Sequence, residues 1–225
     1  MKSSLQAVLN RPDIWSGDRL ARAEDSIASG FPELDALLPG GGWPRGALTE
    51  VIIEREGIGE LRLLIPALAK LTREDGCIAF VAPPYLPYAP ALKSAGIKLP
   101  HFLLVRARSP KEQLWAAEQA LRSGCFGAGC FWFNHAHDLR RLQLATEAGK
   151  SLSVICRAPT RQPSYAALRL ALAPAPAKDL TRVEILKRRG GQVPPLFLNL
   201  YCHAECNEAS AFLIHNNRLS GCASA

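Results

Sequence analysis

Residues 50–64 read EVIIEREGIGELRLL, and the interpretation of the whole chain turns on this stretch. Its first half is an apolar run that predicts a buried strand. A turn with Gly57 and Gly59 follows, and a helical pattern begins at Glu60. A strand, a glycine-containing turn and a helix occur in this order in phosphate-binding loops, where backbone N–H groups hold the anion at the start of the helix.

The turn lacks the side chains with which such a loop binds a triphosphate. A P-loop places a lysine on the phosphates and a Ser or Thr hydroxyl on Mg²⁺. Here Glu60 and Leu61 follow Gly59, and Glu54 and Glu56 add two more carboxylates. Negative charges at these positions would repel a triphosphate. The residues therefore favour an ordinary strand–turn–helix unit with acids near the helix N-terminus over a nucleotide site.

Outward from this unit, apolar strands alternate with helices. Continuous apolar runs predict strands that are covered on both faces, at 47–53, 77–82, 102–107, 128–133 and 152–158. Helical patterns lie between them, at 60–72, 87–96, 109–124 and 138–150. The helix at 109–124 has the clearest boundaries, with Ser109 as N-cap, Pro110 in the first turn and Gly124 as the stop. The alternation predicts an α/β fold with a mostly parallel sheet and helices on both faces.

The pattern changes after residue 160. Segments 168–176, 181–189 and 194–200 predict two or three further strands that extend the sheet as a mixed, partly antiparallel edge. We expect residues 1–25 to form an N-terminal arm, residues 26–201 the α/β domain and residues 202–225 a disordered tail. Pro66 is expected to kink the helix at 60–72 or to shorten its start.

Charge and cysteine content bear on partners and compartment. The chain has 225 residues, 27 Lys or Arg and 20 Asp or Glu, which gives a formal net charge of +7. This balance is compatible with nucleic acid or an acidic protein as a partner. The seven cysteines show no disulfide-framework spacing, and the sequence has no signal peptide and no apolar run of membrane-spanning length. We therefore expect a cytoplasmic protein without membrane contact.

Patterns typical of catalytic or metal sites are weak. His135, His137 and Asp138 follow a predicted strand end, but no third spaced ligand accompanies the histidines. The segment 202–206, CHAEC, and His215 match no familiar zinc spacing. No nucleophile elbow is present. We expect no catalytic residue, no bound metal and no cofactor.

A basic cluster is the main candidate for contact with a partner. Lys187, Arg188 and Arg189 precede Gly190 and Gly191 at a predicted hairpin tip. Such a cluster either contacts phosphates or lies on the solvated surface. We therefore name these three residues as a candidate contact with DNA or a protein partner.

The stretch SGFPELDALLPGGGWPRGALTEVIIEREGIGELRLLIPAL, residues 29–68, closely resembles the ImuA family of translesion DNA synthesis-associated proteins. The resemblance runs from about residue 5 to residue 201. It implies a non-catalytic accessory factor of the SOS response that binds ImuB, a Y-family polymerase relative without catalytic residues. Through ImuB it would work with an error-prone DnaE-type polymerase. RecA and DNA at stalled forks are further implied partners, which allows association with the nucleoid.

The chain also resembles the RecA core, and this resemblance implies the RecA-like P-loop NTPase fold. Three parts of the ATPase site depart from the RecA pattern. Glu60 and Leu61 take the places of the P-loop lysine and hydroxyl. Pro84 stands at the catalytic glutamate, and Asn134 ends the strand where a Walker B aspartate is expected. These departures imply a degenerate nucleotide site. The segments that carry the resemblance are 28–51, 76–97 and 109–133.

A third resemblance is to SulA, the SOS-induced inhibitor of cell division. Four segments carry it, TEVIIERE (49–56), LLIPALAKL (63–71), ALRSGCFGAGCFW (120–132) and ATEAGKSLSVICRAP (145–159). It implies an alternative function, binding of the division protein FtsZ. The RecA-like N-terminal segment and the greater length favour the ImuA family. A RecA-like ATPase is the second alternative.

Overall fold

An eight-stranded sheet forms the centre of the computed structural model, which describes residues 26–133, 139–160, 164–177 and 180–200. The strands of this sheet are β3 (Leu48–Ile53), β4 (Cys77–Val81), β5 (Phe102–Val105), β6 (Phe126–Trp132), β7 (Leu152–Arg157), β8 (Leu168–Pro174), β9 (Thr181–Lys187) and β10 (Leu196–Leu198). A separate two-stranded ribbon precedes it, formed by β1 (Ser26–Ile27) and β2 (Trp43–Pro44).

The helices follow the predicted alternation. They are α1 (Pro32–Asp35), α2 (Glu60–Arg73), α3 (Ala89–Ser94), α4 (Pro110–Arg122) and α5 (Leu139–Gly149), with a 3₁₀ turn at Leu99–His101. Ser109 caps α4 as expected: its side chain accepts from the N–H of Glu112, whose carboxylate accepts from the N–H of Ser109. This reciprocal pair fixes where α4 begins.

The strand order of the sheet is β10-β9-β8-β3-β7-β6-β4-β5. All neighbours from β8 to β5 pair in parallel, whereas β8 with β9 and β9 with β10 pair antiparallel. The order confirms the predicted α/β fold with a mostly parallel sheet. It also confirms the mixed edge, with β8 placed beside the central strand β3.

Two apolar clusters cover the two faces of the sheet. Val51 and Ile53 of β3 belong to the cluster beneath α2, which includes Leu64 and Leu68. Leu48 belongs to the cluster on the opposite face, beneath α4 and α5. The alternation follows from the period of two in a strand, which sends successive side chains to opposite faces. The central strands are thereby buried on both sides, and their apolar runs are explained.

Pro66 lies within α2, which still begins at Glu60 and continues to Arg73. The expected shortening of the helix start is therefore wrong. A proline removes one helical hydrogen bond and is unfavourable in a helix interior. Burial of neighbouring side chains such as Leu63, Leu64 and Leu68 offsets that cost, because the packing contribution of several buried leucines is larger.

The predicted domain boundaries stay predictions, because residues 1–25 and 201–225 lie outside the described residues. Over the part of the chain that the structure does describe, no helix combines the length and apolar character needed to cross a membrane.

Candidate functional site

A cleft of about 460 Å³ lies at the carboxyl ends of β3, β6 and β7. Open α/β sheets bind their ligands at this edge. The loop after β3 forms one wall of the cleft, and Tyr85, Trp132 and Cys156 contribute to the rest of its lining. The strand–turn–helix unit of the sequence thus lies where a ligand site belongs in this class of fold.

Two glycines give the loop after β3 its shape. Gly57 and Gly59 have φ angles of 81° and 117°, in the region that favours glycine. A Cβ on Gly59 would also lie 2.7 Å from Cδ1 of Leu200, which follows β10. The backbone conformation of residue 59 therefore favours glycine, and any larger residue there would also displace the side chain of Leu200.

The side chain of Glu60 occupies the space that this loop encloses. Its Oε1 accepts a hydrogen bond from the N–H of Gly57 at 2.9 Å, and its Oε2 accepts one from the N–H of Gly59 at 3.2 Å. Glu60 is 6% exposed and is the first residue of the 14-residue helix α2. Backbone N–H groups and a helix N-terminus are the groups that bind an anion, and here a carboxylate of the same chain is that anion.

This arrangement explains why the loop is poorly suited to a triphosphate. Two amides that would bind a phosphate already donate to Glu60, and Glu54 and Glu56 lie beside them along the cleft. Leu61 is half-buried and packs against the apolar cluster beneath α2, so that position offers no hydroxyl to a metal ion. The sequence placed Gly57, Gly59, Glu60 and Leu61 in one strand–turn–helix unit but did not reveal the hydrogen bonds of Glu60.

The resemblance to RecA predicted two further departures from an ATPase site, at Pro84 and Asn134. Pro84 is exposed and follows β4 at the same edge of the sheet as the cleft. Asn134, predicted in place of an acid, lies outside the described residues, as do His135, His137 and Asp138. Over the residues that the structure covers, no group of three or more His, Cys, Asp or Glu side chains could hold a metal ion.

A buried ionic cluster crosses the three central strands. Glu50 of β3 is fully buried, and its two carboxylate oxygens contact the guanidinium groups of Arg157 on β7 and Arg169 on β8. By strand alternation with Leu48, Glu50 lies on the face of the sheet opposite α2. Sequence reasoning missed this cluster. The available signal was the acid inside the apolar run ALTEVII, because a buried charge requires a partner.

Two cysteine thiols near the cleft, those of Cys130 and Cys156, are buried. Burial raises the pKa of Cys130 to about 12. Burial also raises the pKa of Cys156, and the neighbouring Cys130 and Glu60 raise it further. Both groups therefore stay protonated at neutral pH, and a thiol rather than a thiolate is a poor nucleophile. Cys156 lines the cleft without offering it covalent chemistry.

The three residues of the basic cluster after β9, Lys187, Arg188 and Arg189, differ in their contacts. Arg188 donates to the carbonyl oxygens of Gly190 and Gly191, and also to that of Leu37, which follows α1. Lys187 Nζ donates to the carbonyl oxygen of Ser164 at 3.1 Å. Arg188 thus connects the β9–β10 turn to the N-terminal part of the fold, whereas the side chain of Arg189 is exposed.

Comparison with known proteins points to RecA. The chain is 30% identical over 108 residues to the RecA protein of Macrococcus caseolyticus. The aligned region covers 48% of this chain and 30% of that protein. It is 30% identical over 108 residues to RecA of Acholeplasma laidlawii, covering 32% of it, and 29% identical to RecA of Bacillus thuringiensis, covering 31%. No protein-family model matches the chain.

The chain thus spans about a third of the length of the curated relatives that it matches. The relationship is distant, and it supports a RecA-like core. The mostly parallel sheet and the strand–loop–helix unit of β3 and α2 are consistent with that core.

Proposed function

We propose that this chain is a non-catalytic accessory factor of SOS-induced, error-prone translesion DNA synthesis. It binds an ImuB-type Y-family polymerase relative and, through it, an error-prone DnaE-type polymerase, with RecA and DNA as further partners. The observation that carries the proposal is the pair of hydrogen bonds from the loop amides to Glu60. A RecA-like core with its own carboxylate in the anion site supports a role in binding rather than in ATP hydrolysis.

The outer face of β8, β9 and β10 is the docking surface of this proposal. Leu170 and Val183 face the apolar cluster beneath α2, so the alternate residues Ala171 and Glu184, which are paired in register, face outward. The most extensive helix–strand contacts of the sheet are with β3, β4 and β6. Exposed apolar side chains on this edge of the sheet, Leu186 at 46% and Phe197 at 53%, suit a protein partner better than solvent.

A pull-down with the purified ImuB-type protein tests the proposal directly. We expect the wild-type chain to retain that protein, and Phe197→Ser with Leu186→Ser to weaken retention at least roughly 10-fold, as for substitutions at the centre of an interface. Leu144→Ser is the matched control, because Leu144 is equally exposed, on α5. Failure of the wild-type chain to retain the partner would contradict the proposed function. If Leu144→Ser weakened retention as much as the double variant, only the assignment of the docking surface would be contradicted.

ATP turnover provides a second test. We expect no ATP hydrolysis above buffer by the purified chain, with or without single-stranded DNA, because the loop has no lysine and its amides are engaged by Glu60. Turnover that co-purifies with the chain and disappears in Gly59→Ala would favour the RecA-like ATPase instead. Filamentous growth on overexpression, with dispersed division rings, would favour SulA-like binding of FtsZ.

A test of the basic cluster requires variants that change its charge and keep the hydrogen bonds of Arg188. Charge reversal of all three residues would also remove the bonds of Arg188 to Leu37 and the turn. Lys187→Glu with Arg189→Glu changes the charge and leaves Arg188 and its bonds in place, at the loss of the exposed bond from Lys187 to the carbonyl oxygen of Ser164. We expect this double variant to weaken DNA association and damage-induced mutagenesis, and Lys93→Glu, an exposed lysine of α3, to change neither. Unchanged DNA association and mutagenesis in the double variant would remove the cluster from the proposal.

A further inference from the structure

Glu60 raises the question of what keeps the loop in its anion-binding shape. A loop with two left-handed glycines is flexible in isolation, because glycine has more backbone freedom to lose than any other residue. In a nucleotide-binding protein, the phosphate supplies the acceptors that order such a loop. Here the acceptors are the two oxygens of Glu60, at 2.9 and 3.2 Å from the amide nitrogens.

The surroundings of Glu60 indicate that the carboxylate is held by backbone groups. Both of its carboxylate oxygens accept from backbone amides, Oε1 from that of Gly57 and Oε2 from that of Gly59. Its charge lies close enough to Cys156 to raise the pKa of that thiol. A carboxylate buried to this extent requires compensation, which the amides and the N-terminus of α2 supply.

We propose that Glu60 is the permanent internal ligand of this anion site and holds the loop in the anion-bound conformation without any nucleotide. The scaffold is then fixed in one state, and ATP has no means of switching it. This inference extends the proposed function, because a docking protein with such a loop would bind its partner equally with and without ATP. The structural part does not depend on which partner binds.

The packing around the loop supports a single state. Leu200 approaches Gly59 so closely that an added Cβ would lie 2.7 Å from its Cδ1, and Ile58 and Leu61 pack against the apolar cluster beneath α2. The loop is therefore held on one side by apolar contacts and on the other by Glu60. Removal of the carboxylate leaves the first restraint and deletes the second, which makes the effect local and measurable.

Amide hydrogen exchange of the full chain tests the inference. In Glu60→Ala, we expect exchange at Gly57 and Gly59 to accelerate roughly 10- to 100-fold, the range for losing a hydrogen bond to a charged group. The control is Glu54→Ala, which removes an exposed carboxylate next to the same loop and should leave both exchange rates unchanged. Equal rates in wild-type and Glu60→Ala would overturn the inference.

Chemical rescue is the sharper arm of the same experiment. Added inorganic phosphate should slow exchange at Gly57 and Gly59 in Glu60→Ala, because it supplies the missing anion, and chloride at equal ionic strength should not. In the wild-type chain, phosphate should have no effect, since the site is filled. Rescue by chloride to the same extent, or no rescue by phosphate, would show that Glu60 does not stand in for an anion and would overturn the inference.

A conservative variant covers the case in which Glu60→Ala fails to fold. Glu60→Gln keeps the volume and one acceptor oxygen but removes the charge, so we expect intermediate exchange rates at both glycines. Wild-type rates in Glu60→Gln would overturn the inference, because the charge would then be irrelevant. These measurements use the chain alone. A failed pull-down of the ImuB-type protein would leave them intact, and unchanged exchange rates would leave a successful pull-down intact.

Discussion

Glu50 and Glu60 are ten residues apart, and the fold buries both in different ways. Glu50 lies in the middle of β3 and contacts two arginine side chains from the neighbouring strands. Glu60 begins α2 and accepts hydrogen bonds from two backbone amides of the preceding loop. One carboxylate is compensated by full charges, and the other by backbone dipoles.

The difference shows how much each burial depends on the rest of the chain. The partners of Glu50 come from residues more than a hundred positions away, so its compensation forms only when β7 and β8 have joined β3. The partners of Glu60 are one and three residues before it. Glu50 therefore reports on assembly of the sheet, and Glu60 reports on the local state of the loop. Four substitutions test this contrast, and they are given in order of decreasing expected effect.

Glu50→Gln should have the largest effect. It leaves Arg157 buried and without its counter-charge, and breaking a buried ion pair on one side costs about 3–5 kcal/mol. Urea denaturation monitored by circular dichroism measures the free energy of unfolding. The control is Glu184→Gln, which breaks a partly exposed pair with Arg182 and should cost less than about 1 kcal/mol. Similar losses in both variants would contradict the role assigned to the buried cluster.

Glu60→Ala should destabilise the chain by about 2 kcal/mol, less than Glu50→Gln. The loss is smaller because Gly57 is exposed and Gly59 is half-buried, so water can replace the carboxylate at the freed amides. The same denaturation measurement gives the value. A loss that equals or exceeds that of Glu50→Gln would mean that Glu60 supports the sheet rather than the loop.

Arg188→Ala tests a charge of the opposite sign, because Arg188 is a cation whose guanidinium donates to backbone carbonyl oxygens, whereas Glu60 is an anion that accepts from backbone amides. Removing its bonds to Leu37, Gly190 and Gly191 should cost about 1 kcal/mol. Arg189→Ala is the matched control, and we expect it to leave the melting temperature unchanged. If Arg189→Ala lowered the melting temperature as much as Arg188→Ala, the hydrogen bond from Arg188 to Leu37 would not contribute to the stability of the fold.

Glu112→Gln is expected to have the smallest effect. Glu112 is the exposed counterpart of Glu60, since its carboxylate accepts from the backbone amides of Arg108 and Ser109. These bonds hold the pKa of Glu112 below its ordinary value of 4.5. Because its pKa is lower in the folded state than in the unfolded state, Glu112 stabilises the fold at pH values above its ordinary pKa. This stabilisation is lost as the pH falls through the pKa of the folded state.

The melting temperature of Glu112→Gln should therefore be slightly below that of the wild-type chain at neutral pH. The difference should shrink as the solution is made acidic and disappear when Glu112 is protonated. Thermal scans of both proteins across this pH range measure it. A difference that grows toward acid would contradict the assigned cause of the pKa shift.

Much of the fold followed from local patterns. The apolar runs of β3, β4, β6 and β7 predicted buried parallel strands, because such strands are covered on both faces and need no alternation. Ser109 and Glu112 predicted the start of α4, because the capping groups are neighbours in sequence. The shortened helix start that was one of the two effects expected of Pro66 was wrong, because the cost of Pro66 in α2 is offset by packing with residues distant in sequence.

The candidate site was predicted only in part. Gly57, Gly59, Glu60 and Leu61 were recognised as a loop that departs from a P-loop, since the identity of the residues decides whether a lysine or hydroxyl is present. The orientation of Glu60 toward the loop amides was not predicted, because side-chain direction depends on the burial of Glu60 beside Cys156. Arg188 was grouped with Lys187 and Arg189 because its bond to Leu37 spans 151 positions.

By itself, the sequence determined the succession of strands and helices along the chain. It also determined that no lysine and no Ser or Thr hydroxyl lies between residues 54 and 61, where a P-loop would have them. Both depend on residues that are near one another in the chain. Only the tertiary structure decided that Glu50 lies between two arginines and that the side chain of Glu60 turns back to accept from the amides of Gly57 and Gly59. Burial makes an uncompensated charge costly, and the partner that compensates it is fixed when the strands and helices come together.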